Sequence, residues 1–199
     1  MEGIHLDPLH DGRRRSIVRR GWLVELRPLL LISGALLLVQ LVNASLGGAL
    51  NVWGLVPRHI EALPGILLAP WLHGSWAHLL SNLSGLLVLG SLVLLRSRRD
   101  FYLSSAFIIV GSGVLVWLFG RTGLHVGASG WLFGFWGLLL ARAWFERSLL
   151  DLLLAVLVFC LYGGWFFGLL PRADVSFEYH LAGAFCGVLY AALSRRQYR

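Results

Sequence analysis

Apolar and polar positions alternate on the scale of whole helices. Charge-free stretches run over residues 29–50, 77–95, 101–120, 126–141, 152–170 and 179–194, separated by segments that carry arginine. A helix needs roughly 20 apolar residues to cross a hydrocarbon core of about 30 Å. The pattern therefore predicts six transmembrane helices and an all-α, polytopic membrane protein. A seventh apolar piece, "ALPGILLAPWL" at 62–72, is too short to cross and contains prolines, so it is expected to be an interfacial or re-entrant segment between the first two spans. The fourth and sixth runs are the shortest. Polar structure at membrane depth requires protein or a water-filled cavity to receive it, which predicts a wet cavity at their outer ends.

Charge adds orientation. Arg13, Arg14, Arg15, Arg19, Arg20 and Arg27 precede the first span. Arg96, Arg98 and Arg99 follow the second, Arg142 and Arg147 the fourth, and Arg195, Arg196 and Arg199 the sixth. Only Arg58, Arg121 and Arg172 fall on the other side, so arginine bias places both termini in the cytoplasm. The expected organisation is a cytoplasmic tail over 1–28, a six-helix membrane domain over 29–194 and a short cytoplasmic tail over 195–199. The composition, 57% hydrophobic and 14% charged, excludes an ordinary soluble domain. The net charge of +7 does not indicate nucleic acid, because the arginines sit at the ends of apolar runs and not along one face. Cys160 and Cys186 lie within apolar runs without metal-site spacing and read as small hydrophobes.

Depth then singles out a few polar residues. Counting back from the arginines at 1.5 Å per residue, Ser129, His180 and Asn82 all lie about 20 Å from the cytoplasmic helix ends. His78 precedes Asn82 by one turn and shares its face. Three helices thus bring a serine, a histidine and a His/Asn pair to one layer. A serine hydroxyl becomes a nucleophile when a base takes its proton, and His180 is the candidate base. The tetrahedral oxyanion needs donors, which the Ser129 amide, His78 and Asn82 can supply. Gly127 and Gly130 clear space around the hydroxyl, and Gly183 and Gly187 give the sixth span a small-residue face on the side of His180. No acidic residue matches this depth, so a Ser–His dyad is expected, with Glu178 too near the surface to join it.

The segments "HGSWAHLLSN" at 73–82, "GASG" at 127–130 and "HLAGAFCG" at 180–187 resemble, in order and placement, the three signature segments of the rhomboid intramembrane serine proteases. The resemblance implies a six-helix rhomboid-like bundle with Ser129 as nucleophile, His180 as base and His78 and Asn82 at the oxyanion. It also matches His73 to a family histidine above the site, and it implies no metal or cofactor. The implied partners are single-pass membrane protein substrates and the lipid bilayer, in a bacterial inner membrane with the site opening to the extracytoplasmic side. The chain departs from the family pattern in three places. The first loop lacks the usual Trp-Arg pair, Phe133 stands where a tyrosine stacks on the catalytic histidine, and "EYH" at 178–180 replaces a small residue before that histidine.

Other readings stand beside this one. A lone G-x-S-G in a membrane helix is most simply packing, and the polar residues could be interhelical hydrogen-bond glue. The histidines His73, His78, His125 and His180 could instead bind haem or a metal. A catalytically silent rhomboid-like binder of membrane clients, or a channel using the same cavity, would keep the fold without the chemistry. His125 reads as an interfacial residue, and Gln40 and Asn43 as helix-packing hydrogen bonds. The aromatic, glycine-bearing "YGGWFFGLLP" at 162–171 reads either as an interfacial belt or as a mobile gate.

Overall fold

The computed structural model describes residues 9–172 and 175–194, with side chains from residue 24 onward. The expected C-terminal tail, 195–199, and the first eight residues of the expected N-terminal tail lie outside that description. Among the described residues there are six long helices: α1 (Leu9–Ser45), α2 (Trp76–Arg96, with a π-helical turn at Leu86–Gly90), α3 (Arg98–Phe119), α4 (Ser129–Glu146), α5 (Leu149–Tyr162, continued by a 3-10 turn over Gly163–Leu169) and α6 (Phe177–Ser194). Four segments, Val24–Ser45, Trp76–Arg96, Arg98–Phe119 and Leu149–Leu169, are long and apolar enough to cross a membrane by themselves. Among the described residues there is no β-strand, only an isolated bridge between Leu55 and His125.

Local sequence sets several of the starts. Ser75, Ser97 and Ser148 cap α2, α3 and α5, each hydroxyl accepting from the backbone N–H three residues on. Helix α4 has no side-chain cap, so the first amides after Ala128 keep their donors free at Ser129.

Helix α4 is the centre of the bundle. Trp131, Leu132, Phe133, Phe135, Trp136, Leu138 and Leu139 are all buried, on every side of the helix, as expected of a helix enclosed by others. Helix α6 lies against it with almost nothing between the backbones. A Cβ on Gly183 would strike the carbonyl oxygen of Gly130, and one on Gly187 that of Gly134. Helix α5 is peripheral, with only Asp151, Ala155 and Val158 buried. Leu153, Val156 and Phe159 point away from the protein, as do Leu38 and Leu41 of α1, the surface a bilayer covers.

Helix bounds differ from the charge-free runs for physical reasons. Helix α1 begins at Leu9, well inside the segment read as a tail. Helix α4 runs on to Glu146 instead of stopping at Ala141, because its charges are neutralised inside the protein. Arg142, one of the arginines counted for orientation, is 1% exposed and pairs with Asp100 of α3. The Tyr190 hydroxyl donates to the other oxygen of Asp100 at 2.8 Å. Arg96 of α2 reaches Glu146 at 2.6 Å and also pairs with Asp151 of α5. The arginine-rich end of the bundle is thus tied across five helices.

At the opposite end, the α1–α2 connection folds over the bundle in short helical turns. Its apolar segment Ile60–Trp71 does not cross but packs on α3, where Gly113 abuts Ile66. Asn43 reaches this connection rather than a neighbouring helix, holding Asn51 at 3.0 Å and the Leu50 amide at 3.0 Å. The connection in turn fixes the approach to α4. Leu55 and His125 exchange backbone hydrogen bonds, and the Gly127 amide donates to Ala69 at 2.9 Å.

Candidate active site

Ser129 is delivered by that tethered approach. Gly127 holds φ +117°, a conformation disfavoured for residues with a side chain, and so turns the chain into α4. It also leaves the room that His78 occupies, since a Cβ there would lie 2.6 Å from the His78 ring. The Ser129 hydroxyl lies 2.9 Å from Nε2 of His180, which the α4–α6 glycine contacts bring across. Nδ1 of His180 lies 2.8 Å from the carbonyl oxygen of Gly168. A carbonyl can only accept, so Nδ1 carries the proton and Nε2 is left free to accept from the serine.

Phe133, one turn beyond Ser129, stacks on the His180 ring with centroids 4.1 Å apart and planes 10° from parallel. The ring geometry expected of a tyrosine is therefore available without its hydroxyl. Trp165 stacks on the far face of Phe133 at 4.8 Å. Tyr179, next to His180, is buried and lies over Gly130, filling the space that glycine leaves.

Asn82 is buried and half-exposed His78 stands beside it, both facing the cavity that Ser129 enters. The Asn82 amide nitrogen donates to Nε2 of His73 at 2.9 Å. His73 is fully buried and packs edge-on against His78 at 5.0 Å. Its pKa is pushed down to about 4, first by burial and then by the neighbouring His78, with the Trp71 backbone opposing. His73 is therefore a neutral acceptor that fixes which way the Asn82 amide points.

These groups share a cavity of about 650 Å³, lined by Ser129, His180, His78, Asn82 and Phe133 with Trp165 and Gly168 of α5 and its 3-10 turn. Glu178 turns away and pairs with Arg121 at 3.1 Å. His125 is buried within the protein. Its ring lies 2.9 Å from the Ser176 hydroxyl and 3.2 Å from the Arg121 carbonyl, fastening the loop before α4 to that before α6. Among the described residues no group of three His, Cys, Asp or Glu side chains is arranged to hold a metal. The Gly168 carbonyl is the contact that the sequence does not reveal, because a backbone acceptor has no residue-type signature.

The model of the Rhomboid domain matches residues 61–197. The chain belongs to the rhomboid family. The matched region of this rhomboid contains all of α2 to α6, and with them every residue of the cavity. An uncharacterized protein of Mycobacterium tuberculosis is 36% identical over 185 residues, covering 88% of this chain and 77% of that protein. One of Mycobacterium leprae is 34% identical over 185 residues, covering 88% and 73%. RHOMBOID-like protein 1 of Arabidopsis thaliana is 32% identical over 164 residues, covering 76% of this rhomboid and 39% of the plant protein. With its apolar helices and this family, the rhomboid is an integral membrane protein.

Proposed function

We propose that this rhomboid is an intramembrane serine endopeptidase that cuts peptide bonds in or beside the transmembrane segments of single-pass membrane proteins. The observation that carries the proposal is the relay from Ser129 Oγ to His180 Nε2 at 2.9 Å and from His180 Nδ1 to the Gly168 carbonyl at 2.8 Å. It presents the tautomer that general-base catalysis needs.

In this mechanism the serine oxygen attacks the scissile carbonyl while His180 Nε2 takes its proton. The negative charge on the carbonyl oxygen falls among the free Ser129 amide, His78 and Asn82, where each preorganised donor lowers the barrier. His180 returns the proton to the leaving amine, and water admitted through the cavity hydrolyses the acyl-enzyme by the same steps in reverse. Arginine bias supports a bacterial inner-membrane orientation with the arginine-rich end in the cytoplasm and the cavity opening on the other side. Retention of both serine and histidine in bonding geometry counts against a silent binder.

A fluorophosphonate probe tests the nucleophile in detergent-solubilised protein. Wild type becomes labelled, and Ser129→Ala and His180→Ala do not. A folded wild type that takes no label contradicts the proposal.

A further inference from the structure

The base is oriented by the part of the bundle that is held least. Every residue of the 3-10 turn Gly163–Leu169 is at least partly exposed, and of residues 149–169 only Asp151, Ala155 and Val158 are buried. Phe159, Phe166 and Phe167 face outward along it. Its firm attachment is at the arginine-rich end, where Asp151 pairs with Arg96. At the end near the cavity, Tyr162, Trp165 and Leu169 pack on the core but stay only partly buried. Yet that end supplies the acceptor for His180 Nδ1 and the outer ring of the Trp165–Phe133–His180 stack.

Contact at the turn is close. A Cβ on Gly168 would stand 2.8 Å from the Phe133 ring and 3.4 Å from His180 Nδ1. Trp165 also closes on α2, where a Cβ on Gly85 would lie 2.9 Å from its indole. If the turn lifts from α2, the carbonyl acceptor and the outer ring leave together. His180 is then free to rotate and to carry its proton on Nε2, where it cannot accept from the serine.

Building on the proposed protease activity, we infer that the Gly163–Leu169 turn is the positioning element of the catalytic histidine, so that Ser129 is activated only while this turn is seated against α2 and α4. Trp165 and the Gly168 backbone are then positioning groups, acting on the reaction through His180. A turn serving only as a steric barrier would have the opposite signature, because loosening it would admit reagents faster.

The test is the rate of fluorophosphonate labelling, since this small probe needs the dyad but no entry from the bilayer. Trp165→Ala and Gly168→Ala are expected to label about tenfold or more slowly than wild type, the direction seen when a catalytic histidine loses its orienting partner. Trp165→Phe keeps a stacking ring and is expected to stay near the wild-type rate. Labelling of Trp165→Ala and Gly168→Ala at or above the wild-type rate would overturn the inference and leave the protease reading intact. A wild type that takes no label would overturn both. Nitrogen NMR of 15N-histidine wild-type protein gives a readout that does not depend on how the variants fold. A single Nδ1–H tautomer for His180 is expected, and a mixture of tautomers would refute the inference.

Discussion

Gly183 of α6 lies directly against the carbonyl oxygen of Gly130 in α4, with no room for even a methyl group between them. The dyad spans this same seam, since His180 is one turn before Gly183 and Ser129 immediately precedes Gly130. The separation of the two backbones therefore sets the serine–histidine distance.

Gly183→Ala forces the helices apart, because the obstructing atom belongs to a backbone and cannot rotate away. Overpacking of this kind costs roughly 1–3 kcal/mol, and the displacement is largest beside the dyad. Fluorophosphonate labelling should fall about tenfold or more, together with the thermal midpoint in detergent. Gly187→Ala meets the Gly134 carbonyl one turn farther on. It should lower the midpoint comparably and spare labelling more.

Asn82→Ala removes one of the proposed oxyanion donors while Ser129 and His180 stay in place. The loss appears in the transition state, so kcat on a transmembrane substrate should fall about 100-fold with little change in KM. A change confined to KM would place Asn82 in substrate binding instead.

His73 makes stability depend on pH. Its pKa is about 4 in the folded protein against 6.5 unperturbed, so between those values the unfolded chain holds a proton that the folded one does not. Stability is then fully present above pH 6.5 and falls as the pH drops towards 4, by about 3 kcal/mol across the window. The thermal midpoint in detergent should track this fall. His73→Gln can still accept from Asn82 but does not titrate, and should flatten the slope.

The sequence carried much of this arrangement because helices convert residue number into depth. Counting from the arginines places Ser129, His180 and Asn82 in one layer, and the cavity holds all three. The small-residue face of α6 was legible for a similar reason, since Gly183 and Gly187 repeat at helical spacing. Charge misled where it is buried. Arg142 ends a charge-free run, yet its partner Asp100 lies 42 positions away in the chain, so the pair that lets α4 continue to Glu146 leaves no local mark. The burial of His125 leaves no local mark either, because its partners, Leu55 and Ser176, belong to distant loops. The orientation of His180 by Gly168 was invisible for another reason, since any residue at that position would offer the same carbonyl.

The central claim is that this cavity hydrolyses peptide bonds within the membrane. The most direct measurement reconstitutes this rhomboid in liposomes with a single-pass membrane protein as substrate. Products are read by mass spectrometry, with Ser129→Ala in parallel. The account predicts a single cut in or beside the span with wild type and none with Ser129→Ala. Cleavage that survives loss of the Ser129 hydroxyl, or an intact substrate beside folded wild type across a panel of such spans, would contradict it.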